Sequence, residues 1–147
     1  MTSAATVTAL IAAALNAAGS VYAGWRWWRV EPDRAAWWSL RTAQASVLAV
    51  VVAGAVAALA GSPPDDDLFW VYALVPIATN FFAEQFRVLS AQTVLDARGL
   101  ADAKAVGRLP DADQRSIVLQ IARRELGIVA LAAAVNAPLA LRAAAAF

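Results

Sequence analysis

Three polar residues that could do chemistry lie within a mainly apolar stretch, residues 68–90. Asn80, Glu84 and Arg87 are spaced at i, i+4 and i+7, so a helix would place them on one face. A carboxylate beside a guanidinium in an apolar environment can bind an ion or polar solute, or act as a general acid or base. Because an ionised acid avoids acyl chains, we expect Glu84 to face the bundle interior or water.

Basic and amide side chains elsewhere in the sequence are candidate partners of Glu84. Arg41 and Gln44 lie three residues apart, so they can share one helix face. The planar guanidinium of arginine donates parallel hydrogen bonds to carboxylate or phosphate oxygens, and it stays charged. We therefore predict one substrate-binding or ion-binding site formed by Asn80, Glu84, Arg87, Arg41, Gln44, Arg123 and Arg124. If the protein is an enzyme, Glu84 is the catalytic candidate.

The same polar residues also have a purely structural interpretation. Glu84 can pair with nearby arginines in a buried ion-pair network that fixes the register of the helices, while other arginines reach anionic lipid headgroups. Asn16 and Asn136 also lie within apolar segments, where an asparagine more often joins two helices by a hydrogen bond than binds a solute. We keep both interpretations open.

The composition predicts a membrane protein and excludes several kinds of site. The chain is 61 % hydrophobic and 16 % charged, with a mean hydropathy of +0.59, whereas about a quarter of the residues in soluble domains are charged. It has neither cysteine nor histidine, and it carries no P-loop, GxSxG or HExxH motif. We predict no cofactor and no metal. A net charge of +1 is too balanced for binding nucleic acid.

Four segments are long and apolar enough to cross a hydrocarbon core of ~30 Å, which takes about 20 residues in a helix. They are residues 4–24, 38–60, 68–90 and 117–141. The first segment lacks a basic stretch before it and is too long for a signal sequence, so we interpret it as a mature helix. The predicted fold is an all-α membrane protein, a single domain over residues 1–147, with four transmembrane helices in an up-down bundle.

Residues that are typical of helix ends predict where the helices begin and end. Asp33 suits the start of the second helix, and Gly99 the end of the third. Asp111 with Gln114 three residues later has the spacing of a capping box and predicts the start of the last helix. The third and fourth helices therefore extend past the membrane as a short cytoplasmic helical hairpin, residues 91–116.

The basic residues of the loops predict the orientation. The first loop and the hairpin carry Arg26, Arg29, Arg34, Arg98, Lys104, Arg108 and Arg115, whereas the loop "GSPPDDD" has none. By the positive-inside rule both basic loops are cytoplasmic and both termini lie outside, in the inner membrane of a bacterium. Tryptophans cluster beside the first loop as an interfacial belt: Trp25, Trp27, Trp28, Trp37 and Trp38.

The predicted function is permeation of an ion or small polar solute through a cytoplasmic vestibule lined by arginine and glutamate. Because four helices enclose little volume, the path would lie between copies of a homo-oligomer. One alternative is a membrane-embedded enzyme acting on a lipid or isoprenoid, with Glu84 as acid or base. Another is a scaffold subunit that docks a partner through the hairpin. The expected partners are membrane lipids, including anionic headgroups at the cytoplasmic face.

Overall fold

The computed structural model describes residues 3–147, which form helices joined by short loops. The helices are α1 (Ala4–Trp28), α2 (Arg34–Leu59), α3 (Phe69–Ala97), α4 (Ala103–Val106) and α5 (Asp111–Ala144). Within the described residues there is no strand. The prediction of an all-α fold is therefore confirmed.

Three of the helices are long and apolar enough to cross a membrane, namely α1, α2 and α5. α3 is 29 residues long, but it is less apolar than these three helices, because Asn80, Glu84 and Gln85 interrupt its apolar side chains. The protein is thus a membrane-embedded helical bundle. Length and composition support three of the four predicted spans.

α5 lies at the centre of the bundle, with α1 on one side and α3 on the other. α2 packs mainly on α1 and touches α3 and α5 far less. The four long helices therefore do not close into a symmetric ring. Their arrangement leaves an open side between α2 and α3.

Contacts at the two ends of the bundle show that successive long helices run antiparallel. At one end the Asp65 amide donates to the Ala146 carbonyl at 2.8 Å, which joins the α2–α3 loop to the end of α5. At the other end the Arg123 Nε donates to the Trp27 carbonyl at 3.2 Å, which joins the α1–α2 connection to α5. α1 and α3 run in one direction, and α2 and α5 run in the other.

Small side chains allow α1 and α5 to pack closely along their length. Ala9 and Ala12 of α1 lie in one core cluster with Ala140 and Ala143 of α5, and all four are buried. Without a hydrophobic drive between helices in lipid, close backbone approach at small residues is a main source of association. The alanine-rich segments of the sequence thus form the seam of the bundle.

Two buried asparagines join pairs of helices by hydrogen bonds, as the sequence predicted. The Asn16 Nδ2 on α1 donates to the Ala43 carbonyl of α2 at 3.1 Å and to the Ser46 Oγ at 3.3 Å. The Asn136 Nδ2 on α5 donates to the Asn80 Oδ1 of α3 at 2.8 Å. Both Asn16 and Asn136 are fully buried, so each bond fixes the register of two helices.

The helix ends agree with the sequence signals at Asp33 and Gly99 but not at Asp111. Asp33 is the N-cap of α2, and Gly99 adopts a positive φ of 67° just after α3, a conformation that glycine takes without strain. α5 does begin at Asp111, yet its N-cap residue is Pro110 and no side chain caps it. The Gln114 side chain donates instead to the Leu109 carbonyl at 2.7 Å, so the predicted capping box is wrong.

Asp33 is held ionised by three neighbours at the first loop. Its carboxylate accepts from the Ala36 amide at 2.7 Å and from the Tyr22 hydroxyl at 3.0 Å. The Arg26 Nε lies 3.0 Å away, without hydrogen-bond geometry, so it acts through its charge. The pKa of Asp33 is lowered from its ordinary 3.8, first by the Ala36 amide and then by Tyr22 and Arg26.

The lowered pKa of Asp33 predicts a loss of stability in acid. Because the folded pKa lies below the unfolded one, the stabilisation is complete above the ordinary pKa and is lost as the pH falls through the folded pKa. We expect Asp33→Asn, which keeps a capping side chain, to flatten the fall of Tm between about pH 4 and pH 2 in detergent. Asp102→Asn, at the N-cap of the short α4, is the control. Parallel Tm curves for Asp33→Asn and the unaltered protein would contradict the prediction.

Candidate functional site

Glu84 lies at the centre of a polar network on α3. Its Oε1 is 2.6 Å from the Arg41 Nη1 and its Oε2 is 2.5 Å from the Arg87 Nη1. The Gln44 Nε2 donates to the same Oε1 at 3.0 Å. Both carboxylate oxygens are therefore occupied by donors, two of them charged, which are the strongest hydrogen bonds a carboxylate accepts.

α2 supplies two of these donors from one helix face. Arg41 and Gln44 are three residues apart, and the Arg41 Nη1 also donates to the Gln44 Oε1 at 2.7 Å. This bond holds the amide with its Nε2 turned toward Glu84. The helical spacing that the sequence provides is thus sufficient to aim both side chains across the gap to α3.

Arg87 extends the network from α3 to α5. Its Nη2 lies 3.2 Å from the Glu125 Oε2, and its guanidinium carbon is 4.8 Å from the centre of the Trp37 ring. The Arg87 Nη1 and Nη2 thus bridge Glu84 and Glu125, while Trp37 of α2 covers the face of the guanidinium. Two arginines and two glutamates alternate through the network, so its charges balance.

The network lies at the open side of the bundle and not in a sealed core. The side chains of Arg41 and Glu84 are 42 % and 36 % exposed, whereas those of Arg87 and Glu125 are each 20 % exposed. Glu84 and Gln44 line the gap between α2 and α3. Arg87 and Glu125 form the inner half of the network, toward α5.

A crevice of about 360 Å³ separates α2 from α3 beside Glu84. Gln44, Asn80 and Glu84 contribute the polar part of its lining, and Leu48 and Phe81 belong to the apolar part. Asn80 accepts the hydrogen bond from Asn136, so its side chain connects the lining of the crevice to α5 at the centre of the bundle. The crevice is where a solute could reach the carboxylate.

Five of the seven predicted site residues converge on this crevice, and two do not. Asn80, Glu84, Arg87, Arg41 and Gln44 lie in or beside it. Arg123 instead binds the Trp27 carbonyl, and its guanidinium carbon lies 5.1 Å from the centre of the Trp27 ring. Arg124 is exposed on α5, beside other grooves.

Two members of the network were not among the predicted site residues. Glu125 adjoins the two arginines that the sequence favoured, and only the packing of α5 on α3 turns it toward Arg87. Trp37 was interpreted as part of the interfacial belt. It lies four residues before Arg41, on the same face of α2, and that spacing was a signal for its place beside the network.

The donors around Glu84 affect which chemistry its carboxylate can do. No group of three or more histidine, cysteine, aspartate or glutamate side chains that could hold a metal ion occurs in the part of the chain that the structure describes. Glu84 already accepts from three side chains, so its oxygens are less available as a base.

Comparison with known protein families, curated proteins and solved structures found no match to this chain.

Proposed function

We propose that this chain is a small four-span membrane protein that mediates permeation of an ion or small polar solute as part of a homo-oligomer. The crevice between α2 and α3 would form the inner part of the path. The observation that carries the proposal is a charged, partly exposed side-chain network in that crevice, at a depth where a lipid-facing charge is strongly unfavourable.

The depth of the network follows from the length of α3. Asn80 lies eleven residues after Phe69, where α3 begins, so it is about 16 Å along the helix, near the middle of a core of ~30 Å. Glu84 is one turn further, about 6 Å from the middle. An ion pair at this depth that retains exposure needs water or another protein surface beside it, because acyl chains cannot solvate it.

The same reasoning supports a fourth span at α3. α3 runs antiparallel to its neighbour α5 and lies level with it through the Asn80–Asn136 hydrogen bond. Two of the side chains that lower its hydropathy are bound by neighbouring helices, Glu84 by Arg41 and Gln44 of α2 and Asn80 by Asn136 of α5. A polar helix of this kind crosses a bilayer when neighbouring helices satisfy its polar groups.

The distribution of basic residues supports the orientation. The α1–α2 connection and the segment between α3 and α5 lie at the same end of the bundle, and the loop with Asp65, Asp66 and Asp67 lies at the other end. By the positive-inside rule the basic end is cytoplasmic, in a bacterial inner membrane, and residues 91–116 form a cytoplasmic hairpin.

A second copy of the chain would complete the path. The seam of α1 with α5 is filled by alanine side chains, which leaves no channel through the protomer at that seam. The crevice instead opens outward between α2 and α3. A neighbouring protomer that covers this side would enclose the crevice and shield the exposed parts of Arg41 and Glu84 from lipid.

Glu84→Gln is the variant that tests the proposal. The substitution removes one negative charge while keeping the shape of the side chain, and it leaves Arg41 and Arg87 in excess. We expect the permeability ratio of anions to cations to rise by about tenfold, which corresponds to roughly 1.4 kcal/mol of electrostatic interaction. The measurement is the reversal potential in liposomes with a salt gradient, read with a potential-sensitive dye.

The matched control is Glu31→Gln, the same chemical change in the exposed first loop, where Glu31 pairs with Arg26. Glycerol-driven swelling of the same liposomes tests for a path that passes neutral solutes. The proposal fails if liposomes with the unaltered protein pass neither ions nor glycerol faster than protein-free liposomes. It also fails if Glu84→Gln folds and its reversal potential equals that of Glu31→Gln.

A further inference from the structure

Two grooves run along α5 on a side of the bundle away from the α2–α3 crevice. One, of about 780 Å³, lies between α3 and α5, and the other, of about 540 Å³, lies between α1 and α5. Arg124, Ser90, Ile128 and Leu131 line both grooves. The two grooves therefore meet at one arginine and are separated by an apolar ridge on α5.

Both grooves have the length of one leaflet. Arg124 is twelve residues before Asn136, so it lies about 18 Å from the level of that buried side chain, near the headgroups. The far ends of the grooves, Val135 and Ala134, are next to Asn136. The grooves thus extend from the headgroup level to the middle of the bilayer, the distance that an acyl chain covers.

The chemistry changes along the grooves from charged to apolar. Within residues 3–147 Arg124 forms no ion pair and no side-chain hydrogen bond, although its neighbour Arg123 is bound to Trp27. Beyond Arg124 the walls are mainly apolar, with Phe82 and Phe86 in the α3–α5 groove. A single cation with two apolar channels leading from it is complementary to a ligand with one anionic group and two hydrocarbon chains.

We propose that this surface is a binding site for an anionic two-chain phospholipid of the cytoplasmic leaflet. The phosphate is held by the guanidinium of Arg124, which can donate two parallel hydrogen bonds to phosphate oxygens, and by the Ser90 hydroxyl. One acyl chain lies in each groove, on either side of Ile128 and Leu131. The site does not depend on permeation through the crevice.

Native mass spectrometry of the detergent-extracted full chain tests the site with defined lipids. The protein is titrated with dioleoyl phosphatidylglycerol and with dioleoyl phosphatidylcholine, which differ in net charge but not in acyl chains. We expect tighter binding of the anionic lipid by about fivefold, the effect of one arginine at the surface. Equal affinity for the two lipids would overturn the proposal without any variant.

Arg124→Gln and Arg115→Gln separate the site from general attraction to the basic end. Both positions are exposed on α5, and Arg115 lies outside both grooves. We expect Arg124→Gln to remove the preference for the anionic lipid and Arg115→Gln to keep it. An equal loss in the two variants would mean that only net charge matters, and the site would be rejected.

The grooves themselves are tested by Gly24→Leu. Gly24 lines the α1–α5 groove, and a Cβ added there has open space around it, so we expect a leucine side chain to occupy part of the groove. We expect it to reduce binding of dioleoyl phosphatidylglycerol to the level of the one-chain lyso lipid. Ala49→Leu, on an exposed part of α2, is the control. If the one-chain and two-chain lipids bind the unaltered protein equally, the two-groove site is wrong.

Discussion

Arg87→Met is expected to lower the free energy of unfolding by about 3 kcal/mol. Arg87 is the shared counter-ion of Glu84 and Glu125, at 2.5 Å and 3.2 Å. Removing one partner from a buried ion pair costs about 3–5 kcal/mol, because the remaining charge is left without compensation. The lower end of that range applies here, because Glu84 keeps Arg41 as a counter-ion and only Glu125 loses its partner. The measurement is reversible unfolding in mixed micelles, followed by circular dichroism.

Two further variants separate this charge effect from the loss of packing. Arg98→Met makes the same change at the C-cap of α3, where Arg98 contacts the Gln120 Oε1 at 3.4 Å, and it is expected to cost less than about 0.5 kcal/mol. Glu125→Gln combined with Arg87→Met removes the negative charge that Arg87→Met leaves unpaired. The double variant should therefore lose less free energy of unfolding than the two single variants lose in sum. Additive effects would show that Arg87 does not act as a counter-ion.

Phe69→Ala is expected to destabilise the bundle by about 4 kcal/mol, as large-to-small changes of buried aromatic residues do. Phe69 is fully buried, and its ring centre lies 5.0 Å from those of Trp70 and Phe147, both edge to face. Gly54 of α2 leaves the space that the Phe69 ring occupies, since a Cβ at this position would overlap the ring. The same unfolding measurement applies.

The control for Phe69→Ala is Phe82→Ala, because Phe82 is 56 % exposed and its loss leaves no cavity.

The contact between Phe69 and Gly54 provides a sharper test. Gly54→Ala should destabilise the unaltered protein through the clash, although alanine is the better helix former by about 1 kcal/mol. In the Phe69→Ala background the clash is gone, so Gly54→Ala should be neutral or stabilising. A similar loss in both backgrounds would contradict this packing.

The fold class follows from the sequence because hydropathy and segment length depend on local composition alone. The same holds for the shared face of Asn80, Glu84 and Arg87, which needs only the 3.6-residue period of a helix. Arg41 and Gln44 could be named as partners because their spacing and depth match. These features are properties of single helices.

The rest of the candidate site depends on how the helices are arranged. Arg123, Arg124 and Glu125 follow one another on α5, so they point about 100° apart, and the sequence does not say which one faces α3. In the structure Glu125 faces Arg87, Arg123 faces Trp27, and Arg124 lies at the two grooves. The open side between α2 and α3 could likewise not be predicted from the sequence. Periodicity indicates which residues share a helix face, but it does not indicate how far that helix lies from its neighbour.

The sparse contact between α2 and α3 has a mechanical consequence. α2 packs mainly on α1, α3 packs mainly on α5, and the extensive contact of α1 with α5 along the alanine seam joins them. Tilting α1 and α2 about that seam by a few degrees would widen the crevice while the alanine contacts stay in place. The bonds from Arg41 and Gln44 to Glu84 span the crevice, so they oppose this tilt.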